Sequence, residues 1–228
     1  MVNSVDYGVN GVYMRNAAAK PTVAAQTERR ILSAARKCLL DHGFEGLSMR
    51  AVATDAGITV GAIYRHFPSR SALIKHITTE AYNRYVEALW KNVAAIPVGS
   101  FLRLVHLGEA YITFAIEHPE DFKVLFSPHS GRPRKVAEIQ GQRNYEIVKQ
   151  CVVDCIKSGA IRKGDPELIT AYLWARIHGV AMLLLAADFS GRLPAAAGKY
   201  GAIKLFRATR VFLLEGIQPP KRKRGPLA

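Results

Sequence analysis

The sequence predicts an all-α protein: an N-terminal three-helix head containing a helix-turn-helix, then a helical domain, about nine helices in all. Three observations predict it. Apolar residues recur three and four apart through most of the 228 residues, and no stretch alternates as a strand would. Ser48, Thr59 and Ser69 each stand directly before a helix-forming run, where a side-chain oxygen accepts from the first free backbone N–H groups. Gly57, in Ala56-Gly57-Ile58, separates the first two of those runs and supplies the φ > 0 conformation that a sharp helix-to-helix turn needs.

In chain order, residues 1–26 show no helical or strand period and read as a flexible N-terminal arm. The first helix is expected over Glu28–His42, with Ile31, Ala34, Ala35, Cys38 and Leu39 as its apolar stripe. Gly43 stops it and Phe44 turns back into the core. Two short helices follow. In the first, Ala51, Val52 and Ala56 are expected to pack inward, leaving Ser48, Met49 and Arg50 outside. In the second, which begins at Thr59, Ala62 and Ile63 face the core, while Val60, Gly61, Tyr64, Arg65 and His66 remain available. Two short helices joined by a Gly-containing turn form a helix-turn-helix, whose second helix can enter a DNA major groove. Small residues there let the backbone approach closely, and polar and aromatic ones supply base and phosphate contacts. Arg65 reads either as a base contact or as a solvated charge, and Phe67 as core.

This stretch resembles the DNA-binding domain of the TetR family of transcriptional regulators. The resemblance begins at Thr27-Glu28-Arg29-Arg30-Ile31 and continues through Asp41-His42-Gly43-Phe44, Leu47-Ser48-Met49-Arg50 and Ala56-Gly57-Ile58. Its most specific part is Val60-Gly61-Ala62-Ile63-Tyr64-Arg65-His66-Phe67, followed by Ser69-Arg70 and Ala72-Leu73. Val60 stands where many relatives carry a polar residue, and Arg70 where many carry Lys. The resemblance implies phosphate contacts for Tyr64 and His66, whose other reading is a cap on the core edge, and a phosphate clamp for Arg70. On that last role Arg70→Ala weakens binding to all DNA alike and lowers the salt slope by about one unit. A DNA-binding domain at 27–75 and a ligand-binding and dimerisation domain at 76–217 follow, with a basic tail at 218–228.

The fourth helix runs from Ser71 to about Val93, long enough to join the head to the rest, and Pro97 and Gly99 break the pattern after it. The fifth spans Ser100–His118 and the sixth Glu120–Phe126. A loop at 127–133 precedes a seventh helix reaching Ser158. Asp165-Pro166-Glu167 opens the eighth, which continues to Asp188, and a ninth covers Ala195–Glu215. The eighth carries Leu173, Ile177 and Leu184 on one side and Trp174, His178 and Met182 on another, so it is expected to be buried from two directions. In the family the last two helices pair with their copies, which implies a homodimer reading a palindromic double-stranded DNA site. The run Phe114–Phe122 and the later Trp174-Ala175-Arg176-Ile177-His178-Gly179 resemble a TetR-type ligand-domain subfamily marked by a Trp, His and Gly signature.

Composition narrows the alternatives. The net charge of +14 and a pI near 9.9 favour polyanionic partners. Residues 1–80 hold 10 Lys+Arg against 6 Asp+Glu, and residues 81–228 hold 22 against 12, so bulk charge does not single out the helix-turn-helix. The N-terminus lacks a cationic start followed by an apolar block, and no apolar run is expected to cross a bilayer; a cytoplasmic protein without membrane contact fits. Three Cys are too few and too oddly spaced for a disulfide framework. Glu109, Glu117, Glu120 and Asp121 read as solvated faces, and no metal, cofactor or catalytic constellation is expected. The chain therefore reads as a regulator and not an enzyme, with three classes open: a repressor responsive to a small molecule, a helix-turn-helix protein controlled by a partner or by its own concentration, and a membrane-surface or nonspecific nucleic-acid binder driven by charge. For the first, Phe101, Tyr111, Phe114, Phe122, Phe126 and Trp174 wall a cavity for a mostly apolar molecule, with His106 and His178 supplying polar contacts. Packed tightly, the same rings make an ordinary core.

Overall fold

The computed structural model describes residues 22–126, 134–190 and 207. Eight helices run through them: α1 (Val23–Gly46), α2 (Met49–Ala56), α3 (Val60–His66), α4 (Arg70–Val93), α5 (Phe101–Glu117), α6 (Pro119–Phe126), α7 (Arg134–Lys157) and α8 (Pro166–Ser190). The described residues contain no strand. The ninth helix expected at Ala195–Glu215 and the basic tail lie outside them, apart from Arg207, which is helical.

Capping chemistry sets the element boundaries. The hydroxyls of Ser48, Thr59 and Ser69 accept from Ala51, Ala62 and Ala72 N–H at 3.1, 3.2 and 3.1 Å. One boundary differs from expectation. Thr22 caps α1, so the helix starts at Val23, inside the stretch assigned to the arm. Ala-rich Val23–Gln26 lacks an apolar period but has good helix propensity, and joined to Glu28 onward it simply extends the helix. Gly43 has φ 67° and breaks α1 there, which lets Phe44 and Leu47 turn into the core.

The head packs α1 on α2, and α2 on α3. Behind it, α4 lies against α5 and α6, and α8 covers α5 and α7. α4 is the spine, burying Leu73, Ile74, Ile77, Ala81, Tyr85, Leu89 and Val93 along its length. Between head and rear domain, α6 also touches α1. Asp121 sits at that junction and corrects the reading of it as a solvated face. It is buried, and Arg84 grips its carboxylate from α4. A buried carboxylate requires such a partner, and the partner lies 37 residues away.

By length and mean hydropathy, Pro166–Leu185 is long and apolar enough to cross a membrane, which the sequence reading did not expect. In this fold Ile169, Ala181 and Leu185 pack inward. Leu168, Tyr172, Ala175, Gly179, Met182 and Leu183 form a second stripe open to the outside.

Candidate DNA-binding surface and ligand-domain cluster

Gly57 ends α2 in the left-handed region, with φ 62° and ψ 42°. Its N–H donates to the Ala53 and Thr54 carbonyls, closing the last turn. A Cβ there would stand 2.9 Å from Arg30 Nη2. Arg30 reaches from α1 to the end of α2, donating through Nη2 to the Ala56 carbonyl and, at 3.1 Å, to the Gly57 carbonyl. A cation there satisfies orphan C-terminal carbonyls and complements the helix dipole. No site role is expected for Arg30 from the sequence. Nothing local marks it, since its acceptors lie 26 and 27 residues on.

The buried stripe of α2 is Met49, Val52, Ala53 and Ala56. Met49, expected on the outer side, is 6% exposed, and Ala51, expected inside, faces out. The reason is register: with Ser48 as the cap, positions 49, 52, 53 and 56 share one face at a 3.6-residue period, and 51 does not. Ser48 and Arg50 are exposed as expected.

On α3, Ile63 is fully buried, while Gly61, Tyr64 and Arg65 are exposed; Tyr64 is 50% exposed despite its apolar ring. Val60 and His66 are half-buried, with Val60 packed on the core edge, and Thr59 is exposed. Neither α2 nor α3 carries an acid in its first turn, and α3 ends in Arg65 and His66. The exposed side of this unit therefore presents cations, a phenol and bare backbone, with no carboxylate from α3. Arg70 lies elsewhere: half-buried, it donates through Nε to the Leu47 carbonyl at 2.7 Å and through Nη2 to the Phe44 carbonyl.

The proposed ligand residues divide into two groups. Phe114 and Phe122 are each 1% exposed, and Tyr111 is buried with them. Tyr85 stands edge-on to Tyr111, Phe114 and Phe126 at centroid distances of 5.9, 5.3 and 5.5 Å, and Tyr111 to Phe122 at 5.3 Å. These rings fill the space between α4, α5 and α6 themselves, as ordinary core. Phe101 is half-buried against the core, and His106 lies 3.8 Å from Glu109, which pairs with Arg207 at 3.0 Å.

Phe126, Trp174 and His178 form the open edge. Trp174 is 45% exposed and stacks on the His178 ring at 5.4 Å, which also meets Phe126 at 5.9 Å and Phe122 at 6.0 Å. Tyr111 Oη lies 2.8 Å from His178 Nδ1. Burial pushes the Tyr111 phenol far up and holds His178 below its ordinary value, so both are neutral near pH 7. The phenol donates in the tautomer that carries the imidazole proton on Nε2. The bond holds the His178 ring beside Tyr111, with Trp174 stacked on it.

A concavity of about 330 Å³ opens at the head junction between Arg36, Arg84 and Glu117–Asp121. Of its charges, Arg84 pairs with Asp121 in the lining, and Arg36 pairs with Glu80 beside it.

Comparison with known proteins agrees with this anatomy. The model of bacterial regulatory proteins of the tetR family matches residues 31–77, and a Tetracyclin repressor-like C-terminal domain model matches residues 104–200. The HTH-type transcriptional regulator Rv1816 of Mycobacterium tuberculosis is 41% identical over 58 residues, 25% of each chain. The similarity to the first curated relatives thus spans about a quarter of their length. A protein of unknown function from Rhodococcus sp. RHA1 superposes with a TM-score of 0.68 at 25% identity, covering 88% of this chain and 100% of that one. A protein from Saccharomonospora viridis in complex with choline superposes at 0.66 with 19% identity, covering 86% and 99%. With a helix-turn-helix head and a helical rear domain each matched in its place, the chain belongs to the TetR family of regulatory proteins.

Proposed function

We propose that the chain is a sequence-specific DNA-binding transcriptional regulator of the cytoplasm, acting as a repressor that a small, mostly apolar ligand releases. The observation that carries the DNA-binding reading is the division of α3: Ile63 anchors it, and Gly61, Tyr64 and Arg65 stand free on the other side. Arg65 reads bases; Ser48, Arg50, Thr59, Tyr64 and His66 meet phosphates, and Gly61 and Val60 allow close approach. The head is the unit through residue 75, and the rear domain follows.

The regulator works as a homodimer on a palindromic site. One seven-residue helix buries too little surface for a tight specific complex, and a two-fold axis presents two of them about 34 Å apart. The open stripe on α8 supports the last two helices as the pairing face, because apolar area of this extent calls for cover.

The stack of Trp174 on His178, with Gly179 next, supports membership of the Trp-His-Gly subfamily. It also supports an effector site at the open edge, with His178 as its polar contact. The choline complex of a protein with this fold supports a small-molecule effector here. The packed core of Tyr85, Tyr111, Phe114 and Phe122 favours a second reading, control by a partner protein or by concentration.

Selection of bound sequences from a random DNA pool tests the first reading. The expected product is a palindrome with half-sites about one helical turn apart, and recovery of unrelated sequences overturns it. Repeating the selection with choline and with fatty acids separates the two controls: release by one of them supports the effector, and indifference to all supports the partner.

A further inference from the structure

We infer that Arg70 is a positioning residue of the helix-turn-helix, fixing the entry of α2 to the first turn of α4, and is not a phosphate clamp. Its Nε–H donates to the Leu47 carbonyl at 2.7 Å and its Nη2 to the Phe44 carbonyl. Both acceptors lie in the short joint between the Gly43 break and the Ser48 cap, where the chain's own bond, Leu47 N–H to the Phe44 carbonyl, is long at 3.4 Å. The joint is thus held largely from outside, by one planar fork spanning two carbonyls.

The position argues the same way. Arg70 is the first residue of α4, where the helix dipole disfavours a cation, so it adds nothing to that helix. Its gain comes from the two carbonyls. An arginine fork reaches both at once, and the single ammonium of a lysine does not reproduce that geometry.

The consequence is mechanical. α2 is held at its start by Arg70 from α4 and at its end by Arg30 from α1. α3 is joined to α2 through Gly57–Thr59 and to α4 through Phe67–Ser69, so the fork, by tying the start of α2 to the start of α4, closes the ring that sets the angle of α3. Base reading needs placement within about 0.5 Å and 10–20°, whereas attraction to phosphates does not. Loss of the fork therefore removes discrimination and leaves charge-driven binding.

The inference rests on the DNA-binding reading, and the two fail separately. If the unaltered protein binds no duplex, that reading fails; the tests below apply once it binds. Arg70→Lys and Arg70→Ala are compared with the unaltered protein on a duplex selected from the random pool and on a random-sequence duplex, across a salt series. Measurements are made at a temperature where circular dichroism shows each variant folded. The expected result is a loss of about tenfold or more in preference for the selected duplex in both variants, one bidentate base contact's worth of discrimination. Random-duplex affinity and salt slope stay unchanged in Arg70→Ala. Amide exchange, read by mass spectrometry, rises in residues 44–57 and not in α5, and this readout holds even if Arg70→Ala is too unstable for the titration. Three results overturn it: a salt slope lower by about one unit in Arg70→Ala, full rescue by Lys, or a lowered melting temperature with preference and exchange at 44–57 unchanged.

Discussion

Arg84 and Asp121 form a two-point ion pair between α4 and α6, with Nε 2.6 Å from Oδ2 and Nη2 2.7 Å from Oδ1. Arg36 of α1 brings its Nε to 3.8 Å from Oδ1 and pairs with Glu80 of α4. One buried carboxylate thus joins three helices at the seam between head and rear domain. Asp121→Ala leaves two guanidinium groups without it. Because Arg84 is partly open to water, the expected cost is about 1–3 kcal/mol, below that of a fully buried pair. Thermal unfolding checks this, with a midpoint lower by roughly 4–8 °C for a loss of about 2 kcal/mol. An unchanged midpoint contradicts a structural role for the pair.

Two glycines in the helix-turn-helix separate stability from DNA binding. Gly57→Ala forces a side chain into the left-handed region and against Arg30, and is expected to cost about 1–3 kcal/mol. Gly61→Ala meets nothing within 4 Å on a helix and is expected to stabilise by about 0.5–1 kcal/mol. The same methyl group lies on the exposed side of α3, so it is expected to weaken DNA binding while raising the melting temperature. A Gly61→Ala protein that is more stable and binds DNA as well as before would show that α3 does not approach DNA closely at this position.

His178 makes the rear domain acid-sensitive. Burial lowers its value in the fold, so between that value and about 6.5 the unfolded chain binds more protons than the folded one. Stability from this group is complete above about pH 6.5 and declines as pH falls toward the lowered value. Urea unfolding at pH 7.5 and 5.5 is expected to show a smaller acid loss in His178→Gln than in the unaltered protein. Identical losses would assign the acid sensitivity to other groups.

The open stripe of α8 gives a test of assembly. Ala175 and Leu183 are exposed in the single chain, so Ala175→Glu and Leu183→Glu are expected to leave its helix content intact. Each puts a charge into the proposed pairing face, where burial without a partner is costly. Sedimentation at micromolar concentration is expected to show a dimer for the unaltered chain and a monomer for either variant. A dimer that survives both substitutions places the interface elsewhere.

The sequence by itself determined the helix-turn-helix, because the chemistry that builds it is local. Ser48, Thr59 and Ser69 each cap a donor three residues on, and Gly57 needs only its own backbone freedom to make the turn. The buried stripe of α1, Ile31, Ala34, Ala35, Cys38 and Leu39, was legible for the same reason, since a 3.6-residue period is written in the spacing. Only the tertiary structure decided what the long charged side chains do. Arg30, Arg70 and Asp121 find their partners 26, 23 and 37 residues away, and one Arg looks like another until the fold sets a carbonyl or a carboxylate beside it. The aromatic rings behaved likewise: Phe114 and Trp174 are equally apolar in sequence, and packing alone put one in the core and left the other at its edge. Burial is a property of neighbours brought together by folding, and no local pattern carries it in full.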